Sequence, residues 1–200
     1  MLKIIAATGN KGKLTEIKQI FAASGMDVEL VSMQAAGFCT EIEENGGTFE
    51  DNAFIKAKAV HDALGGVVIA DDSGLCVDAL GGAPGVHTAR FAGQNAADGT
   101  NIEKLLRVLN GADDRRAAFV SVVCCMLPDG TSFFTRGVCP GRISQTPQGD
   151  GGFGYDPVFV PEGYDETFAQ LGEETKNAMS HRAKAVTLMC GELKKRLCAD

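Results

Sequence analysis

An α/β fold is predicted by three features of this chain. Short apolar runs alternate with segments of helical period, glycine- and asparagine-bearing loops mark the junctions, and 44% of the 200 residues are hydrophobic. That apolar fraction is ample for a core in one domain or in two closely joined lobes.

Leu2 to Ala7 is an apolar run that ends at Thr8-Gly9-Asn10, after which Leu14, Ile17, Ile20 and Phe21 fall on one helical face before Gly25. Val28 to Met33 is the next strand, followed by an acidic, aperiodic loop, Glu41 to Gly47. Thr48 with Asp51 resembles a capping box, and Phe49, Ala53, Ala57, Val60 and Leu64 repeat at helical spacing up to Gly65-Gly66. Val67 to Ala70 is short enough for a buried strand and delivers Asp71-Asp72-Ser73-Gly74 at its carboxyl end, where open α/β sheets gather ligands.

A Gly/Pro/Ala-rich loop runs from Gly81 to Gly93. Thr100 and Glu103 then cap a third helix through Leu105, Leu106 and Leu109. Ala117 to Leu127 and Thr131 to Val138 flank the hairpin signal Pro128-Asp129-Gly130, and Gly149 to Asp156 is a glycine-rich loop. Ser180 caps a final helix with Val186, Met189, Cys190, Leu193 and Leu197 on its apolar stripe.

The net charge of -7 gives no general attraction to nucleic acid or to an anionic membrane, and a free nucleotide suits it better than a polymer. No apolar run approaches the roughly 20 residues that span a bilayer, and no signal-peptide pattern opens the chain, so the cytoplasm is the expected location. The seven cysteines, Cys39, Cys76, Cys124, Cys125, Cys139, Cys190 and Cys198, show no zinc spacing and are expected to be reduced and mostly buried.

Four segments carry candidate chemistry. Thr8-Gly9-Asn10-Lys11-Gly12-Lys13 sets a flexible loop and two cations at a helix N-terminus, where backbone N–H groups favour phosphate. It is not a Walker A loop, because only Asn10 and Lys11 separate its glycine from Gly-Lys. An ordinary turn with solvated lysines fits the same residues. Asp71 and Asp72 are adjacent carboxylates that repel one another and are best held by a hard cation, with Glu43 and Glu44 as further oxygen ligands; a turn pair is the alternative.

Phe153-Gly154-Tyr155-Asp156 brings an aromatic face and a carboxylate to a planar base, or else pins a long loop. Lys176, His181 and Arg182 add donors near the start of the last helix, or are solvated helix-end charges.

These segments recur together, in order, with others: TGNKGK (8–13), TFEDNA (48–53), ADDSGL (70–75), GGAPGVHTARF (81–91), GGFGYDP (151–157) and SHRAKA (180–185). On them the chain resembles the inosine/xanthosine triphosphate pyrophosphatase family of bacterial Ham type, over essentially its whole length. The resemblance implies a single ITPase-like (Maf/Ham) domain, with a long mixed twisted sheet flanked by helices and two lobes around a central cleft. It also implies a homodimer, Mg²⁺ as cofactor, and hydrolysis of dITP, ITP and XTP to the monophosphate and pyrophosphate.

Carried over by position, Thr8, Gly9, Asn10, Lys11, Gly12 and Lys13 would hold the triphosphate. Asp72 would be proton acceptor and metal ligand, Glu43 the second ligand with Glu44 beside it, and Ser73 a substrate contact. Phe153, Gly154, Tyr155 and Asp156 would surround the nucleoside, and Lys176, His181 and Arg182 would complete the base and phosphate pocket. Donors such as Arg182 would favour the 6-oxo group of hypoxanthine and xanthine over the 6-amino group of adenine.

Two competing readings remain at this point. A Maf-type pyrophosphatase of pyrimidine or modified nucleotides would share the phosphate loop, but ADDSGL and GGFGYDP argue against it. A non-catalytic nucleotide-binding regulator would have no need of the acidic pair and the acidic loop.

Overall fold

The computed structural model describes residues 1–197. In chain order it comprises β1 (Leu2–Ala6), α1 (Lys11–Ala23), β2 (Val28–Ser32), α2 (Phe49–Leu64), β3 (Val67–Val77), α3 (Asp98–Val108), β4 (Arg116–Met126), β5 (Ser132–Ile143), β6 (Phe159–Pro161), α4 (Phe168–Met179) and α5 (His181–Leu197). The six strands form one sheet in the order β2-β1-β3-β4-β5-β6. β1 pairs in parallel with both β2 and β3, whereas β5 and β6 are antiparallel, so the sheet is mixed.

The described residues divide into two compact units, the first of residues 1–72, 121–137 and 182–197, the second of residues 73–120 and 138–181. In the first, Ile4 and Ala6 of β1, Ile17, Ile20 and Phe21 of α1, Val67 and Ile69 of β3, and Val186, Met189, Cys190 and Leu193 of α5 share one core. The helical spacing read from the sequence is what turns these side chains inward, and each such large side chain contributes roughly 1.5–3 kcal/mol on burial. The second unit has its own core, in which Leu75, Val77, Ile102, Leu105 and Ile143 pack with an aromatic cluster. Phe119 and Phe159 lie 4.6 Å apart there, and Phe159 and Phe168 lie 5.2 Å apart.

The predicted capping box at the start of α2 is present: Thr48 accepts from the Asp51 backbone N–H at 3.1 Å and Asp51 returns the bond at 3.2 Å. Several expectations need correction. β3 does not stop at Ala70 but runs on to Val77, so Asp71 and Asp72 sit within the strand and not at its carboxyl end. They are tolerated there because the fold supplies each with cationic partners.

α3 starts at Asp98, two residues before Thr100, and its N-cap, Ala97, makes no side-chain cap bond. β5 continues past Val138 to Ile143 through Cys139, Pro140 and Gly141, its ladder carried on by pairing of Gly141 to Ile143 with β6. The Gly81 to Gly93 loop follows one 3₁₀ turn, Asp78–Leu80, and contains another, Gly85–Arg90.

Two elements have no counterpart in the sequence reading, β6 and α4. α4 is broken at Gly172, where φ is 78° and ψ 166°, so neither half is long enough to show a helical period. Lys176 therefore lies in the last turn of α4 and not at the start of α5. Cys124, Cys125, Cys139 and Cys190 are buried free thiols as expected, but Cys39 is exposed and Cys76 half-buried. Cys198 lies outside the described residues, as does the environment of the Leu197 side chain.

Candidate active site

The polar centre of the first unit is built where β1, α1, α2, β3 and α5 bring charged side chains into an apolar surround. β1 feeds the Thr8 to Lys13 segment, and Asn10 caps α1 by accepting from the Lys13 N–H at 3.0 Å. Asn10 itself donates from its backbone N–H to Thr8 Oγ1 at 3.2 Å, while Gly9, Asn10 and Lys11 stay exposed. This leaves the loop at the N-terminus of a 13-residue helix, the arrangement that favours a phosphate group.

Successive strand residues point to opposite faces of a sheet, so Asp71 and Asp72 meet different partners. Asp71, 2% exposed, receives Lys13 Nζ at 2.9 Å, Arg182 Nε and Nη2 at 3.3 Å each, and the Ser121 hydroxyl. Burial pushes its carboxyl up, but Arg182 and then Lys13, with the Ser121 hydrogen bond, outweigh burial and hold it well below the usual carboxylate range. Arg182, almost wholly inaccessible, also donates to the buried Glu16 of α1. Desolvation lowers the pKa of Lys13 despite its carboxylate partner.

Asp72 receives Lys56 Nζ at 3.1 Å and the Asn52 amide at 3.3 Å. Here burial prevails over Lys56 and Lys13 and raises the carboxyl above its usual value. Lys56 in turn holds Glu44 at 2.6 Å, so one ammonium bridges Asp72 and the acidic loop. Glu43 is exposed.

Three cations, Lys13, Lys56 and Arg182, thus face four carboxylates, Glu16, Glu44, Asp71 and Asp72. An excess of negative charge at a phosphate loop calls for a further cation before a polyanion can enter. The donors on hand are carboxylate oxygens, which suit a hard divalent ion. Among the described residues no three potential His, Cys, Asp or Glu ligands gather in one group. One or two carboxylates suffice for a hard divalent ion whose shell is completed by water and phosphate oxygens.

The second unit holds a different polar centre. Asp156, 2% exposed, accepts from Lys176 Nζ at 2.7 Å and from the Phe153 N–H at 2.9 Å. Gly152, with φ of 76°, lets the loop wrap this carboxylate, and a Cβ there would overlap Asp156 Oδ2. The Lys176 ammonium stands 4.4 Å from the centroid of the half-buried Phe153 ring.

Tyr155 does not present a free ring: it is 4% exposed and donates to the Thr88 carbonyl at 3.0 Å. Gly154 is fastened by Asp98, which accepts from its N–H at 2.7 Å. His181 stacks on Phe119 at 4.8 Å and 12°, and Ser73 lies half-buried in β3.

The structure therefore gathers Lys13, Asp71, Asp72 and Arg182 of the expected residues in one centre, and Phe153, Asp156 and Lys176 in another. The sequence reading missed Glu16, Asn52, Lys56 and Ser121. Asn52 and Lys56 are four residues apart on the otherwise apolar face of α2, a polar pair at helical spacing that marks a shared buried partner. Ser121 is a lone hydroxyl in the apolar run of β4, and Glu16 adjoins Ile17 on α1; neither has a signal that the sequence makes distinctive.

Residues 4–191 match the Ham1 family. A protein of Streptomyces coelicolor named dITP/XTP pyrophosphatase is 45% identical over 92% of this chain and 94% of its own length. The Bacillus subtilis protein of the same name is also 45% identical, over 93% and 94%. Among solved structures, the Ham1 protein of Staphylococcus aureus superposes with a TM-score of 0.87 at 42% identity, covering 97% of this chain and 99% of that one. The HAM1 protein of Coxiella burnetii gives 0.88 at 38% identity, over 98% and 100%. The chain belongs to the Ham1 family.

Proposed function

We propose that the chain is a dITP/XTP pyrophosphatase, which hydrolyses deaminated purine nucleoside triphosphates to the monophosphate and pyrophosphate. The names of its full-length relatives support this reading. The observation that carries it is the pairing of a phosphate-type loop with Asp72, a carboxyl raised by burial beside a carboxylate excess.

In the proposed step, a water oxygen attacks the α-phosphorus, the bond from that phosphorus to the bridging oxygen breaks, and pyrophosphate leaves. Asp72 accepts the water proton, and its raised pKa makes it the stronger base of the adjacent pair. Lys56 and Asn52 fix the Asp72 carboxylate, and Thr8 to Lys13 bind phosphate oxygens. A bound Mg²⁺ would neutralise phosphate charge and make its water more acidic. Its ligands are assigned to Asp72 and the Glu43-Glu44 pair, with Glu44 favoured because it shares the Lys56 ammonium with Asp72.

In the second unit, Phe153 offers a face for the purine, and Lys176 beside it is the donor for a 6-oxo group. A 6-amino group would set a donor against that buried ammonium where a 6-oxo group sets an acceptor. Arg182 serves by holding Asp71. Ser73 and His181 remain assigned to the substrate on the family pattern.

A cytoplasmic homodimer completes the reading. The described residues contain no helix long and apolar enough to cross a membrane. Phe134, 45% exposed beside Phe54, offers an apolar patch to a second copy.

The test is incubation with Mg²⁺ and ITP, XTP, GTP, ATP, dTTP or UTP, with products separated by chromatography. Monophosphate and pyrophosphate from ITP and XTP are expected. Preferred turnover of pyrimidine nucleotides, release of orthophosphate, or no turnover would each refute the proposal.

A further inference from the structure

The acidic loop and Asp72 come from segments some thirty residues apart, so something must fix one against the other. Asn52, the asparagine of the TFEDNA motif, is 1% exposed and does so with a single side chain. Its Oδ1 accepts from the Gly46 backbone N–H at 2.8 Å, and its Nδ2 donates to Asp72 Oδ2 at 3.3 Å. Its own backbone N–H bonds the Thr48 carbonyl at 3.2 Å, which seats it in the first turn of α2.

Gly46 is fitted to this partner: a Cβ there would lie 2.7 Å from Asn52 Oδ1 and 2.5 Å from Asp51 Cβ. An amide is the side chain that offers an acceptor and a donor from one rigid plane. A carboxylate would lose the donor and set like charge against Asp72. An aliphatic side chain would leave the Gly46 N–H without its acceptor.

We infer that Asn52 is a positioning residue that clamps the acidic loop to Asp72 and so sets the spacing of the metal-binding carboxylates. The inference rests on the proposal that Asp72 and the Glu43-Glu44 pair hold the divalent ion. The clamp acts through hydrogen bonds of the chain itself, and partners of metal ligands typically govern about 10- to 100-fold of metal affinity.

Three variants test it by amide hydrogen exchange of the metal-free protein and by the Mg²⁺ concentration that half-saturates ITP hydrolysis. Asn52→Ala is expected to speed exchange at Gly46 and to raise the half-saturating Mg²⁺ about 10- to 100-fold. Gly46→Ala retains Asn52 but forces the loop away, and is expected to reproduce the Mg²⁺ effect; it decides the matter if Asn52→Ala fails to fold. Asn52→Asp retains the acceptor and is expected to keep Gly46 protected while turnover falls.

Wild-type Mg²⁺ dependence in both Asn52→Ala and Gly46→Ala would overturn the inference, even if their melting temperatures drop. The double variant Glu43→Gln/Glu44→Gln separates the two levels. If it leaves the Mg²⁺ requirement unchanged, the acidic-loop assignment fails and the clamp fails with it. If it raises the requirement while the Asn52 and Gly46 variants do not, the clamp alone fails.

Discussion

Asp71 and Asp72 are consecutive in β3, yet the two faces of the strand treat them in opposite ways. On one face Asp71 is saturated by Arg182, Lys13 and the Ser121 hydroxyl. On the other, Asp72 shares Lys56 with Glu44 and leans on the neutral Asn52 amide. Burial acts on both carboxyls, but only at Asp71 do the cations win. The same residue type becomes a fixed structural anion on one side and, in the proposed mechanism, the base on the other, and the difference lies in partners supplied by α1, α2, β4 and α5.

The largest expected effect breaks the comparison from the Asp72 side. Asp72→Asn should lower kcat for ITP by about 10²- to 10⁴-fold, the range of a positioned general base, while circular dichroism reports a folded protein. An Asp72→Asn enzyme with wild-type kcat would remove the chemical half of the contrast.

Asp71→Asn should act on stability first. It leaves Arg182 buried with Glu16 as its acidic partner, and loss of one member of a buried ion pair costs about 3–5 kcal/mol, measurable by denaturant unfolding at neutral pH. The pH dependence follows from the sign of the shift. A carboxyl held below its ordinary value of 3.8 stabilises the fold above that pH and loses the contribution as pH falls through the folded value. The gap between wild type and Asp71→Asn should therefore narrow in acid. A gap independent of pH would show that the cations do not hold Asp71 ionised.

Lys176→Met extends the comparison to the second unit, where the Asp156 carboxylate meets the Lys176 ammonium. The ratio of kcat/KM for ITP over ATP should fall by about 10- to 100-fold, equivalent to one charged hydrogen bond of 1.5–3 kcal/mol. An unchanged ratio would mean that Lys176 only braces the loop. Tyr155→Phe should be the mildest, removing the hydrogen bond to Thr88 for a loss of about 1 kcal/mol in thermal unfolding.

The sequence displayed the elements whose period runs unbroken. The α5 stripe through Val186, Met189 and Leu193 is buried as its spacing requires, and the Thr48–Asp51 box caps α2 as read. α4 was hidden because Gly172 splits it into two short pieces. β3 was cut short because two acidic residues look like a strand end, whereas tertiary charge pairing carried the ladder through them.

For the same reason the residues themselves offered Asp71 and Asp72 as a pair, and the family resemblance singled out Asp72 without showing the partners that set the two apart. The partners that divide them, Glu16, Asn52, Lys56, Ser121 and Arg182, come together only on folding, and Arg182 is separated from Asp71 by 111 positions in the chain. The Phe153 to Asp156 loop was legible as a glycine-rich segment, but the burial of Tyr155 against Thr88 depends on a distant 3₁₀ turn that leaves no period.

The asymmetry of the two aspartates is tested most directly by following both side-chain carboxyl carbons through a pH titration of the metal-free protein by NMR, assigned with Asp71→Asn and Asp72→Asn. Asp72 should titrate above 3.8 and Asp71 well below it. If Asp71 took up its proton at the higher pH of the two, the division between structural anion and catalytic base would be reversed.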